Sequence, residues 1–161
     1  MYKRQALKNY HEVLKIAEQL GNLSGKATVL NNIGLIYNKR GDYENELKNY
    51  EEVLKIDEQL GDLRGKAHVL NNIGMNYVAR GDYENALKNC EEALKIDEQL
   101  GDLSGKATRF TNIGLIYFAK GDYENSLKCL ESSLEIYKKL KMPNETNQIQ
   151  NIISRYLRDK M

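Results

Sequence analysis

The sequence predicts an all-α fold of antiparallel helix pairs, about eight helices in all. Three observations carry that prediction. The segment "NNIGLIYNKRGDYEN" at 31–45 returns as "NNIGMNYVARGDYEN" at 71–85 and as "TNIGLIYFAKGDYEN" at 111–125, a period of 40 residues. Within each period, apolar residues recur at steps of three and four, the spacing of one helical face. Gly-Asp pairs then punctuate the runs, and one proline and 12 glycines in 161 residues fit helices with glycine at the joints. Self-similarity at a fixed period of this length marks a helical repeat array in which each unit buries its apolar face against the next.

The repeats set the boundaries. Residues 21–60 and 61–100 agree at 30 of 40 positions, and 61–100 and 101–140 at 22 of 40. "ALKNYHEVLKIAEQL" at 6–20 matches "ELKNYEEVLKIDEQL" at 46–60, so residues 1–20 read as a second-type helix whose own first helix is missing. Residues 141–161 match 101–121 mainly in apolar placement and read as a capping helix. The whole of 1–161 is thus expected to be a single array.

Each element follows from its residues. The first helix of the first full repeat runs from about Leu23 to Arg40, with Leu30, Ile33, Ile36 and Tyr37 at helical spacing. Gly41 stops it, because glycine enters the left-handed conformation without a Cβ penalty. Asp42 caps the second helix, and Glu44 sits in its positive first turn. That helix carries Tyr43, Leu47, Tyr50, Leu54, Ile56 and Leu60. Gly61 stops it and Asp62 caps the next. Helices of about 18 residues span roughly 27 Å. Gly34, Gly74 and Gly114 lie inside helices, where glycine costs about 1 kcal/mol relative to alanine. Their common register predicts close helix–helix approach. At the C-terminus Pro143 suits a first turn. Ile149, Ile152, Ile153, Tyr156 and Leu157 are expected inward, and Asn147, Asn151, Arg155 and Arg158 outward, a polar cap of the kind stacked repeats need. At the N-terminus Leu7, Tyr10 and Leu14 are expected to lack cover, which predicts homo-oligomerisation through this helix or truncation from a longer array.

Composition narrows the function. Lys plus Arg is 24 and Asp plus Glu 23, a net charge of +1 with the signs interleaved, which argues against nucleic acid as a partner. No apolar run reaches the roughly 18 residues of a membrane span, and no secretory leader is recognisable. Cys90 and Cys129 occupy different repeat positions and are expected to be reduced residues of a cytoplasmic protein. With two histidines and two cysteines, neither a metal site nor a cofactor is expected, and no nucleophile–base set points to an enzyme.

The pattern apolar–glycine–two residues–tyrosine, then Gly-Asp-Tyr, then a second amphipathic helix resembles the tetratricopeptide repeat. The 40-residue form is similar to the repeats of Pins-type polarity adaptors, kinesin light chains and bacterial signalling proteins. The resemblance implies a right-handed superhelical solenoid whose first helices line a concave groove that binds a peptide or protein segment. It leaves two other roles open, a sensor or assembly segment of a larger signalling protein and a consensus-like engineered repeat without a natural ligand. Where the family places a small residue in the second helix, this chain has Glu46, Ala86 and Ser126. The chaperone-tail clamp of the family needs basic residues where this chain has Asn31, Leu35, Thr108 and Asn112. Only Asn72 fits, so chaperone tails are not the expected ligand.

The repeats can be compared with one another. Substitutions among the first helices include a stripe at steps of three, four and three residues, one helical face. Its members are Thr28, Asn31, Leu35 and Asn38, then His68, Asn71, Met75 and Val78, then Thr108, Thr111, Leu115 and Phe118. Asn32, Asn72 and Asn112 border it unchanged. By the resemblance this stripe faces the groove, where asparagine amides, each both donor and acceptor, would hold an extended backbone. A second varying stripe, Glu46/Ala86/Ser126, Tyr50/Cys90/Leu130 and Val53/Ala93/Ser133, is expected to pack against neighbouring helices.

Overall fold

Local chemistry closes every turn between helices. The computed structural model describes the backbone of residues 2–159 and the side chains of residues 5–155 and Arg158. Within them run eight α-helices: α1 (Tyr2–Gln19), α2 (Leu23–Asn38), α3 (Tyr43–Leu60), α4 (Leu63–Ala79), α5 (Tyr83–Leu100), α6 (Leu103–Lys120), α7 (Tyr123–Lys139) and α8 (Pro143–Asp159). Among the described residues there is no strand. Asp42 accepts from the Asn45 N–H and Asp62 from the Gly65 N–H, as N-caps do. Gly41 and Gly61 take φ of +71° and +66°, which only glycine adopts without strain. The α2 helix ends at Asn38, two residues before the expected Arg40, and the turn absorbs the difference.

The chain forms two compact units, Met1–Asp82 and Tyr83–Met161. In the first, α1 packs on α2, α2 on α3 and α3 on α4. Its main core joins Ala27, Leu30, Tyr50, Val53, Ile56, Val69 and Ile73. Leu7 is buried with Val29 and Ile33, and Tyr10 and Leu14 pack against them. The expectation that these three lack cover is therefore corrected: α2 covers them. Among the described residues, Val13 and Ile16 of α1 and Leu20 just after it are left exposed. In the second unit α5, α6, α7 and α8 pack in the same consecutive way, and Ala107, Leu130, Tyr137 and Ile149 form a core. Ile152 and Ile153 pack on that core, while Asn147, Asn151, Arg155 and Arg158 are exposed. The side chains of Tyr156 and Leu157 lie outside the described residues.

The interior glycines mark close approach. A Cβ at Gly34 would stand 2.6 Å from Cε1 of Tyr50, and one at Gly114 3.0 Å from Cγ of Leu130 and 3.2 Å from the Ser126 carbonyl oxygen. All nine members of the second varying stripe are buried, so that variation adjusts packing.

Candidate functional site

In the first unit, the varying stripe lies on α2 and α4 and keeps some solvent exposure at every member. Thr28, Leu35, Asn38 and His68 are exposed, and Asn31, Asn32, Asn71, Asn72, Met75 and Val78 half-buried. At the N-terminal ends of these helices the stripe borders a cavity of about 180 Å³ where α2, α3 and α4 meet. Thr28 and Asn31 line it from α2, Val53 and Asp57 from α3, and His68 and Val69 from α4, with Asp62 and Gly65 at the turn. The cavity thus gathers three residues of the predicted stripe. The Asn72 side-chain nitrogen donates to Asn31 Oδ1 at 3.4 Å and lies 3.5 Å from His68 Nδ1.

The distinctive group in this cavity is one the stripe did not include. Asp57 is only 5% exposed, and among the described residues its carboxylate has no hydrogen-bond or ion-pair partner. Burial, with a smaller contribution from Asp62, pushes its carboxyl up to about 6. Gly65 makes room for it, since a Cβ there would lie 2.8 Å from an oxygen of each aspartate. A sequence signal existed: position 57 aligns with Ala17, Asp97 and Tyr137, a run no packing rule explains.

The second unit fills the equivalent positions from within. The Arg109 Nε donates to Asp97 Oδ2 at 3.0 Å, with both side chains buried. Arg109 aligns with Val69. The Tyr137 hydroxyl lies 3.1 Å from Thr108 Oγ1, and Thr111 Oγ1 lies 2.7 Å from Ser133 Oγ. Thr108 and Thr111 are therefore engaged with α7. Asn112 is half-buried, and Leu115 and Phe118 are exposed, with the Phe118 ring edge-on to Tyr123 at 5.5 Å. A larger depression of about 510 Å³ on α5 is lined by Glu84, Lys88, Glu91 and Lys95, all exposed, and holds no buried polar group.

Towards the C-terminal ends of α2 and α4, Asn38 is drawn inward to another task. Its Nδ2 donates to Glu46 Oε1 at 3.0 Å and Oε2 at 3.2 Å. Asn76 donates to Glu46 Oε2 at 2.9 Å and to the Tyr43 carbonyl at 2.8 Å. Glu46, 2% exposed, is thereby accommodated as a buried acceptor. Desolvation pushes its carboxyl up, and bonds from Asn76, Asn38 and Tyr50 oppose the shift. Position 76 is isoleucine in the flanking repeats (Ile36, Ile116), a single polar substitution that marked this network in the sequence.

Comparison with known proteins now bears on these repeats. A tetratricopeptide repeat family model matches residues 4–59 and 65–144, more than half of the chain. The chain belongs to the tetratricopeptide repeat family. Members of this family are generally non-enzymatic protein–protein interaction scaffolds. Among solved structures, this tetratricopeptide repeat chain is similar to BtubC from P. vanneervenii, at 26% identity and TM-score 0.79 over 88% of this chain. It spans 59% of BtubC's length. The TPR domain of Arabidopsis FLU is similar at 16% identity and TM-score 0.68, over 73% of this chain and 98% of that domain. A putative kinesin light chain from Podospora anserina, with nearly identical TPR-like repeats, is similar at 14% identity and TM-score 0.71, over 86% of this chain and 68% of that one. The last two likenesses bear on the fold alone. No curated protein matches the chain in sequence. Among the described residues no group of three or more His, Cys, Asp or Glu side chains could hold a metal ion, and no helix is long and apolar enough to cross a membrane.

Proposed function

We propose that this tetratricopeptide repeat chain is a non-catalytic scaffold that binds an extended peptide or protein segment along its first helices. The observation that carries the reading is the stripe of the first unit. Thr28, Asn31 and His68 of that stripe keep solvent exposure and line a cavity, while the other varying stripe is buried. Amides in that position hydrogen-bond a backbone, and neighbouring Met75 and Val78 contact its side chains. On α6 of the second unit, Leu115 and Phe118 are exposed and offer apolar contacts of their own. Both cysteines are free, with Cys90 buried, which supports a cytoplasmic setting.

The test is calorimetric titration with segments selected from a displayed peptide library. Asn71→Ala and Asn72→Ala should each weaken binding by about 1 kcal/mol or more, since a buried partner is left unpaired. Glu51→Ala and Lys55→Ala, both on exposed parts of α3, serve as controls. Equal losses from both sets overturn the reading. A second reading, self-association through α1, is favoured by the exposure of Val13, Ile16 and Leu20 at 47%, 54% and 75%. A single monomeric species in sedimentation at high protein concentration excludes it.

A further inference from the structure

We infer that the cavity between α2, α3 and α4 is a specificity pocket for an arginine side chain, received by Asp57. The inference deepens the peptide-binding reading, on which it rests, by naming the side chain the surface selects.

The argument begins with an unmet need. An ionised carboxylate withdrawn from water is costly unless a cation or hydrogen-bond donors meet it. Asp57 is 5% exposed, its carboxylate keeps that small contact with solvent, and no hydrogen bond or ion pair among the described residues meets it. The chain itself shows what satisfies this position. Forty residues on, Asp97 occupies the same place in its repeat, and there Arg109 supplies a guanidinium nitrogen at 3.0 Å. In the first unit the residue aligned with Arg109 is Val69, too short to reach and without a donor. What stands there is a cavity of about 180 Å³, several times the roughly 30 Å³ that a water occupies in the liquid.

The lining suits the guest. Val53, Leu60 and Val69 offer apolar surface for three methylenes, and Asp57 is the acceptor for the guanidinium fork. Asn31 Oδ1 and Thr28 Oγ1 stand among the lining residues with acceptor capacity left over. The Thr28 hydroxyl spends its proton on the Ser24 carbonyl at 3.0 Å and keeps its lone pairs. Asp62 adds negative charge at the turn, although one of its oxygens already holds the Gly65 N–H at 2.9 Å. Thr28, Asn31 and His68 belong at once to this cavity and to the first-helix stripe, so a segment lying on the stripe passes over the pocket.

The test uses N-acetyl-arginine methylamide and its neutral counterpart, N-acetyl-citrulline methylamide, titrated into the full chain and followed by amide NMR. The arginine compound should shift the amides of Gly65, His68 and Thr28 saturably, with an affinity at least tenfold above that of the citrulline compound. Asp57→Asn should lower the arginine affinity at least tenfold without lowering the melting temperature, which separates lost recognition from lost folding. Val69→Arg should abolish the response by supplying the guanidinium from within, as Arg109 does. Equal affinities for the two compounds, or undiminished arginine binding in Asp57→Asn, overturn the pocket. Library peptides distinguish the two readings. Segments that bind through Asn71 and Asn72 but tolerate arginine-to-citrulline exchange retain the peptide surface and overturn the pocket. An Asp57-dependent response to the arginine compound, with no segment binding the stripe, supports the pocket and overturns the surface.

Discussion

Asn76 donates its side-chain amide to the carboxylate of Glu46 at 2.9 Å, across 30 residues of sequence and from α4 to α3. Both side chains are buried, and forty residues on Ala86 stands where Glu46 does and Ile116 where Asn76 does. Asn38 completes the pairing from α2. The three side chains meet at the carboxylate, while the Asn76 Oδ1 stays buried without a hydrogen-bond partner among the described residues.

Glu46→Ala should destabilise by about 1–3 kcal/mol, because it leaves the buried Asn76 amide with the Tyr43 carbonyl as its one remaining acceptor. Asn76→Ile should cost a similar amount, by leaving the carboxylate one donor short. The double change writes the solution of the neighbouring repeats into this one and should recover much of the loss. Denaturant melts of all four species form the cycle. Strict additivity would show that the two side chains are not coupled.

Asp57 gives a pH signature. Its carboxyl is raised from an ordinary 3.8 to about 6, so the folded chain binds the proton more tightly than the unfolded one. That contribution to stability is fully present below pH 3.8 and is lost as pH rises through about 6. Asp57→Asn should accordingly raise stability on the order of 2–3 kcal/mol at pH 7.5, and by almost nothing near pH 3.5. Thermal melts across that range check it. A gain independent of pH contradicts the assignment to ionisation.

Binding of the arginine compound should move the opposite way, strengthening between pH 5 and 7. The groups facing Asp57 are Thr28 and Asn31 from α2, Val53 and Leu60 from α3, and Asp62 and His68 from α4 and its cap. Apart from the two aspartates, His68 is the one ionisable side chain in that lining. His68→Gln should leave the pH dependence in place, with its midpoint set by Asp57. Binding that weakens as pH rises would contradict the role of the carboxylate.

Arg109 and Asp97 are buried together at 3.0 Å. Arg109→Val should cost about 3–5 kcal/mol, because it removes the guanidinium that meets the buried Asp97 carboxylate. Adding Asp97→Ala should return part of that cost. If Arg109→Val is neutral in chemical denaturation, the pair does not stabilise the second unit.

Gly34→Ala places a methyl 2.6 Å from a ring carbon of Tyr50, nearer than real contacts allow. Overpacking of this kind costs about 1–3 kcal/mol. Tyr50→Cys, the residue of the next repeat, should relieve it when combined with Gly34→Ala. Melting temperatures of the single and double variants decide the matter.

The helices, their order and their turns were legible from residues alone. A Gly-Asp pair sets a left-handed turn and a cap through contacts within four residues, and a 3.6-residue apolar period needs no distant partner to declare a helix. Gly34 was legible too, because a costly glycine repeated in register implies a close neighbour. The stripe containing Thr28, Asn31 and His68 could be drawn from substitutions among the repeats. What the one-dimensional reading could not supply was the fate of individual polar groups. Asn38, grouped with the stripe, bonds to Glu46; Leu7 and Tyr10, expected bare, lie under α2; Asp57, unremarked, lines the cavity. In each case the outcome depends on which helix packs opposite and on whether its side chain there is Val69 or Arg109, Ile36 or Asn76. Local backbone geometry is set by near neighbours along the chain. The satisfaction of a buried charge is set by atoms tens of residues away, and only the tertiary structure brings them within 3 Å.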